Sequence, residues 1–457
     1  MILEAANICN LGINDYIGKE FECKCGKKHR VDIAKIVIGK GALQQIPSIL
    51  QEFRCKRVLI VADTNTDQAV GQNVAQLVQN AGFSLESLVY ERDGDLVPDE
   101  EAIGQLLVNV DSNTDLIIAV GSGVINDLAK YVSSRLRIPY IIVASAPSMD
   151  GFASDVSALI LDGLKTSPSA QPAKAIIGDL DVMRNAPLEM IRAGLGDMLG
   201  KYSSLKDWKI ASILTGEYYC ETVAAMVRLS VQKCIDHIHG FQNREEAAIQ
   251  SLMEGLVLSG IAMSFVGNSR PASGSEHHIS HFWEMAFLQR GKSAVLHGIK
   301  VGITALAASQ VANLLTTQEI DFECATKKNF RFAEPEWEQA VNRLFQKAAP
   351  VVLKQCRENN RNSETERIKR VAAVKSHWPE IAAVLREQPA AAELKNILTT
   401  VGAPFNPKEI GVDSELVFDS IIYAKEIRNR YTVLQLAWDL GLLEDYATAI
   451  KDYFETL

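Results

Sequence analysis

The stretch Asp115-Leu-Ile-Ile-Ala-Val-Gly-Ser-Gly-Val-Ile-Asn-Asp127 decides how the first part of this chain folds. Residues 115–120 are a short, apolar, largely β-branched run of the kind that forms a buried parallel strand, and 128–135 continue as a helix. Gly121 and Gly123 between them let backbone amides approach a pyrophosphate. The helix start adds unpaired N–H groups and positive potential. Tight strand-to-helix turns use glycine in any case, so the motif takes its meaning from its position.

Outward from this turn the same alternation repeats. Residues 57–63 and 87–91 read as strands before it and 139–144 as one after it, with helices over 64–80 and 98–110. Pro98-Asp-Glu-Glu101 places proline and acids in a first helical turn, where they are favoured. An α/β, Rossmann-like parallel sheet with helices on both faces is predicted. In the common dinucleotide fingerprint an acid about 20 residues past the glycines holds the adenine ribose. Here the candidate, Asp63, lies upstream, at the end of an earlier strand. An acid there repels a 2′-phosphate and favours NAD over NADP, but Asp63-Thr-Asn-Thr66 reads equally as a helix N-cap. Ser145-Ala-Pro-Ser-Met-Asp-Gly-Phe-Ala-Ser154 forms a small-residue loop at a strand's carboxyl end, where ligands of open α/β sheets bind. Asp150 in it is a turn residue or a substrate contact. Residues 156–161 and 175–178 read as a hairpin that finishes the domain near Pro187, giving domains 1–187 and 188–457.

Beyond Leu188 the strand signature disappears and an all-α C-terminal domain is expected. Four of the eight histidines, His277, His278, His281 and His297, fall between Ser273 and Gly298. Ser273 and Glu276 have capping-box spacing. Ile279, Phe282, Trp283 and Ala286 share a core-facing side of the helix, His277 and His281 lie opposite, and His278 is on the flank. Asp197, set among glycines, reads as a buried carboxylate that needs a partner. Asp197, His277 and His297 together offer one oxygen and two nitrogens and leave a coordination position open, as a catalytic zinc site does.

Composition bounds the rest. A length of 457 residues implies two domains. Apolar content of 47% with 23% charged residues is that of a soluble globular protein, and a net charge of −9 argues against nucleic acid as a partner. No membrane span or secretory signal is read, so the eight cysteines are expected as reduced thiols in the cytoplasm. Cys23-Lys-Cys25-Gly-Lys-Lys-His29 offers three metal ligands, one short of a structural zinc site, and is read as a hairpin turn.

With these residues assembled, the chain resembles the bacterial sn-glycerol-1-phosphate dehydrogenases, within the wider group of glycerol dehydrogenases, iron-type alcohol dehydrogenases and dehydroquinate synthases. The resemblance spans roughly residues 30–310. It rests on Gly121-Ser-Gly-Val-Ile-Asn-Asp127, Ser148-Met-Asp-Gly-Phe-Ala-Ser154, Gly194-Leu-Gly-Asp197, Ser269-Arg-Pro-Ala-Ser-Gly-Ser-Glu-His-His-Ile-Ser-His281 and Leu296-His-Gly298. After about residue 320 nothing is carried over. The resemblance implies a dehydroquinate synthase-like fold with one divalent metal, zinc or alternatively nickel or iron, on Asp197, His277 and His297. It implies His281 and Asp150 facing the substrate, and NAD or NADP on Asp63, Gly123, Val124, Ile125, Asn126, Asp127, Ser145, Ala146, Pro147, Ser148 and Ser154. The family's reaction interconverts dihydroxyacetone phosphate and sn-glycerol-1-phosphate by hydride transfer. A substrate phosphate needs cations, and Arg270 and Lys201 are either these or structural charges. The alternatives are a dehydroquinate synthase-like cyclase or lyase and a glycerol dehydrogenase acting on the unphosphorylated polyol. A small phosphorylated triose is the expected partner, with neither nucleic acid nor membrane, and a homodimer is left open.

Overall fold

Six strands form one parallel sheet: β1 (Lys35–Gly39), β2 (Arg57–Asp63), β3 (Ser84–Tyr90), β4 (Leu116–Gly121), β5 (Tyr140–Ala144) and β6 (Ala175–Asp179). Their spatial order is β1-β6-β5-β4-β2-β3 in the computed structural model, which describes residues 2–3, 11–92, 94–327 and 332–457. Every residue of β4, β5 and β6 is buried, as expected of central strands covered on both faces, whereas the edge strand β3 is partly exposed. From β2 the chain steps outward to β3 and then crosses back to β4. The sheet therefore reverses direction between β2 and β4, the point where open α/β sheets take ligands.

The expected hairpin of 156–161 with 175–178 is not formed. Residues 175–179 insert as β6 between β1 and β5, with Ile176 opposite both Ile36 and Ile142. Leu159–Leu161 pairs instead with the adjacent Leu164–Thr166. An unbroken apolar run pairs wherever both of its faces find cover, which local spacing does not reveal. The helix expected over 64–80 is interrupted by a wide π turn at Asp67–Gly71.

The chain divides into two compact units. The first comprises Met1–Leu161, Lys165–Met198 and Cys220–Ala272; the second comprises Asp162–Leu164, Leu199–Tyr219 and Ser273–Leu457. The expected break at 187/188 lies at the start of a helix, whereas the division between the units falls within that helix at 198/199, and residues 220–272 belong to the sheet's unit. The four longest helices with described residues in the first unit are α1 (Gly123–Leu136), α2 (Leu188–Thr215), α3 (Glu221–Asp236) and α4 (Glu246–Val266). α2 runs without interruption through the division. α3 and α4 pack closely because Gly255 lies against the Ser230 carbonyl, where a Cβ would be only 3.0 Å from the oxygen. Helical periodicity says that such segments bury a face, not which core receives it. α2 also touches the loop after β5: a Cβ at Gly194 would lie 1.9 Å from the Pro147 carbonyl oxygen.

Among the described residues the regular elements of the second unit are helices apart from the strand residue at 164, and they include α5 (Ser275–Gln289) and α6 (His297–Thr317). α4 and α6 are long and apolar enough to cross a bilayer, but 72% and 83% of their apolar windows are buried within the protein, as in core helices. α5 does not begin with the expected capping box. Its N-cap is Gly274 without a side-chain cap. Asp207, from α2, accepts the Ser275 amide at 2.6 Å and the Val433 amide at 2.9 Å. Glu276 reaches back to the Gly274 amide at 2.8 Å. The cap comes from a carboxylate distant in sequence, so Ser273 is not needed for it.

Two stability predictions follow from these contacts. Asp207→Ala strands two buried amides and should lower the urea unfolding free energy by about 2–4 kcal/mol, with Asp207→Asn less damaging. Gly194→Ala should lower it by about 3 kcal/mol or more, because backbone has to move rather than a side chain. Unchanged denaturation midpoints for both variants would contradict these packing assignments.

Candidate functional site

In the first unit, the carboxyl ends of β2 and β4 carry Asp63 and Gly121. Asp63 caps the short turn that follows it, with Oδ1 accepting the Thr66 amide at 2.8 Å and Thr66 Oγ1 accepting the Asp63 amide at 3.0 Å. α1 starts at Gly123 with no side-chain cap. The Ser122 hydroxyl is hydrogen-bonded to the Ser148 hydroxyl instead. The first-turn amides of Gly123, Val124 and Ile125 therefore have no cap from Ser122, the arrangement that suits a phosphate oxygen at the positive end of a helix. At Gly121 a Cβ would meet the Ile125 side chain at 2.7 Å, so the turn from β4 into α1 closes only on glycine.

The other nucleotide candidates hold the loop that borders this turn. Asn126 donates to the Gly151 carbonyl at 3.2 Å and accepts from Tyr140 at 3.3 Å. Lys130, fully buried, donates to the Gly151 carbonyl at 2.6 Å, the Ser154 hydroxyl at 2.9 Å and the Val156 carbonyl at 3.0 Å. Its Nζ also stands 3.6 Å from Asp127. Burial pushes the Lys130 pKa down and the Asp127 pKa up, and the opposite charge beside each resists that drift. Lys130 was not singled out from the sequence. Its spacing from Asn126 and Asp127, four and three residues along α1, is the signal that one helix face carries all three. Ser145 donates its amide to the Gly121 carbonyl at 3.0 Å, and Ala146 and Ser148 are buried beside it. The Ser154 hydroxyl is taken up within the loop, at 3.1 Å from the Gly151 carbonyl and 3.0 Å from that of Val156.

Asp150 and Asp197 meet in this unit. Asp197 is fully buried and its Oδ2 accepts the Asp150 amide at 3.0 Å. The Asp150 carboxylate in turn accepts from the Ser259 hydroxyl at 2.8 Å. α4 comes close beneath, where a Cβ at Gly260 would stand 2.8 Å from the Asp150 carbonyl oxygen. Arg270 is 2% exposed.

In the second unit three imidazoles cluster. Ring centroids are 5.1 Å apart for His277 and His297, 5.5 Å for His281 and His297, and 5.9 Å for His277 and His281. Nδ1 of His277 is 2.7 Å from Glu276 Oε1. With that carboxylate accepting, Nδ1 carries the proton and Nε2 keeps its lone pair for a cation. The wheel had put His277 and His281 on the side away from the core. The structure buries them too, at 5% and 4% exposure, because α5 is enclosed on all sides near its start. His278 is also buried but belongs to a different environment, with burial and then the charges of Arg428, Arg430 and Arg361 holding its pKa well below the usual value. His281, Glu284 and His297 also have ligand atoms within 4.8 Å of one another, and Lys300 lies 3.4 Å from Glu284. Gly200 of α2 faces this cluster: a Cβ there would be 3.6 Å from His277 Cε1 and 2.6 Å from a Val301 methyl. Asp197 precedes Gly200 by three residues on the same uninterrupted helix, so the two share its face. Lys201 follows, fully buried.

Residues 37–187 match the family model described as iron-containing alcohol dehydrogenase. A protein of Geobacillus stearothermophilus named glycerol-1-phosphate dehydrogenase, NAD(P)+, is 33% identical over 95% of this chain and 100% of its own length. Its namesake from Halalkalibacterium halodurans is 32% identical over 90% of this chain and 94% of its own. Among solved structures, a probable glycerol dehydrogenase from Sinorhizobium meliloti 1021 has a TM-score of 0.60 at 15% identity, covering 93% of this chain and 98% of that one, a likeness of fold. Matched almost end to end by relatives above 30% identity, the chain that carries the reversing parallel sheet, the open start of α1 and the histidine cluster belongs to the glycerol-1-phosphate dehydrogenase family.

Proposed function

We propose that the chain interconverts dihydroxyacetone phosphate and sn-glycerol-1-phosphate with NAD or NADP, at a divalent cation held by Asp197, His277 and His297. The observation that carries this reading is the orientation of His277. Its ring is fixed by a buried carboxylate so that a nitrogen lone pair is presented beside two further imidazoles. One carboxylate oxygen and two imidazole nitrogens fit zinc, nickel or iron(II). The near full-length relatives carry the substrate and NAD(P)+ in their names, which favours this reading over a cyclase of the dehydroquinate synthase kind.

When bound, the cation supplies Lewis acidity to a substrate oxygen and the nicotinamide supplies or accepts hydride. The chain's own residues bind, orient and move protons. The Asp150 amide fixes one oxygen of Asp197, and the Asp150 carboxylate, steadied by Ser259, faces the substrate. His281 holds or moves a proton on the substrate oxygen, with its Nδ1 3.6 Å from Glu284. The amides of Gly123, Val124 and Ile125 take the cofactor's pyrophosphate. Lys130, Asn126, Asp127 and Ser154 set the loop of Ser145, Ala146, Pro147 and Ser148 against it. Asp63 places negative charge at the end of β2 and weighs toward NAD. Arg270 and Lys201 are the cations assigned to the substrate phosphate. A cytoplasmic location belongs to the same reading, in keeping with described cysteines that are not joined in disulfides.

NADH consumption should be at least tenfold faster, as kcat/KM, with dihydroxyacetone phosphate than with dihydroxyacetone. Equal rates would point to a polyol dehydrogenase, and phosphate release without net NADH loss to a cyclase. His297→Ala should lower activity by a factor of about 1,000 or more while far-ultraviolet circular dichroism stays unchanged. His278→Ala should lose thermal stability and keep its catalytic cation, as read by metal analysis.

A further inference from the structure

We propose that Cys23, Cys25, His29 and Cys220 form a second, structural metal site that takes zinc. The sequence supplies three of these ligands in one turn, and the fold brings the fourth from 197 residues further on. Strand Glu20–Cys23 turns at Gly26, which has φ +83° and donates its amide to the Cys23 carbonyl at 3.0 Å, and returns as strand Lys28–Arg30. His29 is the inward-facing residue of that second strand and is fully buried. Cys220, 1% exposed, is the N-cap residue of α3 and makes no side-chain cap bond there. All four residues belong to the first unit.

The four ligand atoms lie within 4.8 Å of one another. Cys23 Sγ and Cys220 Sγ are 3.6 Å apart, Cys25 Sγ and His29 Nε2 are 3.4 Å apart, and Cys220 Sγ and His29 Nε2 are 3.6 Å apart. In a tetrahedron with Zn–S of about 2.3 Å and Zn–N of about 2.0–2.1 Å, the edges are about 3.8 Å between sulfurs and about 3.6 Å from sulfur to nitrogen. The measured separations have the size of those edges, and the sulfur pair is far longer than a disulfide bond of about 2.05 Å. The far side of the imidazole is also arranged for a metal. Nδ1 of His29 is 3.0 Å from the Phe265 carbonyl, which accepts its proton and turns Nε2 toward the three sulfurs. The ring stacks on Phe265 with centroids 5.3 Å apart. Thiolate-rich sites select zinc over the hard cations, and four protein ligands close the coordination sphere.

The site would join the small ribbon of Glu20–Cys23 and Lys28–Arg30 to the start of α3 and the end of α4. So short a ribbon is marginal on its own; Ile2–Leu3 pairs along its edge, and Phe21 packs against Phe265 and Tyr16, centroids 6.0 and 6.5 Å apart. A metal clip across so long a segment restricts the unfolded chain and fixes the ribbon in register.

The test uses full-length protein purified under reducing conditions from zinc-supplied cells. His297→Ala, which removes the proposed catalytic cation, should retain one zinc per chain by elemental analysis, and His297→Ala combined with Cys220→Ser should retain none. Wild-type protein loaded with cobalt(II) should show near-ultraviolet thiolate-to-cobalt charge-transfer bands that persist in His297→Ala. That spectrum reads thiolate ligation without any substitution in the cluster, so a variant that fails to fold does not remove the test. No zinc in His297→Ala together with no charge-transfer band in the wild type overturns the proposal. So does a Cys23–Cys220 disulfide found by peptide mapping of the protein as isolated.

Discussion

A carboxylate out of reach of water is tolerated only where other groups replace the water, and Asp197 sets that condition for much of the first unit. Its partner is the backbone amide of Asp150, so the loop after β5 has to arrive at α2 in one conformation. That conformation is why residue 194 has no side chain against Pro147, why Gly260 lets α4 rise beneath the loop, and why Ser259 meets the Asp150 carboxylate. Lys130 holds the same loop from the opposite side through three oxygens. The glycines and the buried lysine all hold the loop that presents this amide.

The histidine cluster follows a related rule. The imidazole on the first turn of α5 has its orientation set by the carboxylate that precedes it on the same helix. Glu276 fixes His277, and the Thr304 hydroxyl of α6 donates to the Glu276 carbonyl at 2.8 Å, tying the two helix starts together. His277 thus has a supporting contact that limits its rotation before any cation arrives.

Much of this was legible in the sequence because it is local. The strands at 57–63 and 139–144, the turn at Gly121 and the concentration of histidines all announce themselves through composition and spacing, and the structure has them. What was not legible depends on partners far along the chain. Residues 175–179 have the composition of a strand but no mark of which neighbours they join. Ser273 and Glu276 have capping-box spacing, yet Asp207, more than sixty residues away, takes the amide instead. Cys23, Cys25 and His29 look one ligand short because Cys220 lies on another element. The wheel of α5 was right about the apolar side, and the opposite side is buried as well, since a helix end enclosed by its own unit has no wet face.

Asp207 has one more implication, for the order of events as the protein is made. One of its oxygens holds the first amide of the histidine-bearing helix and the other holds an amide close to the carboxyl terminus. The bridge is complete only after residue 433 has been synthesised and folded back. The helix that carries His277 and His281 therefore acquires its finished start only once residue 433 has left the ribosome, more than 150 residues after the helix begins at Ser275.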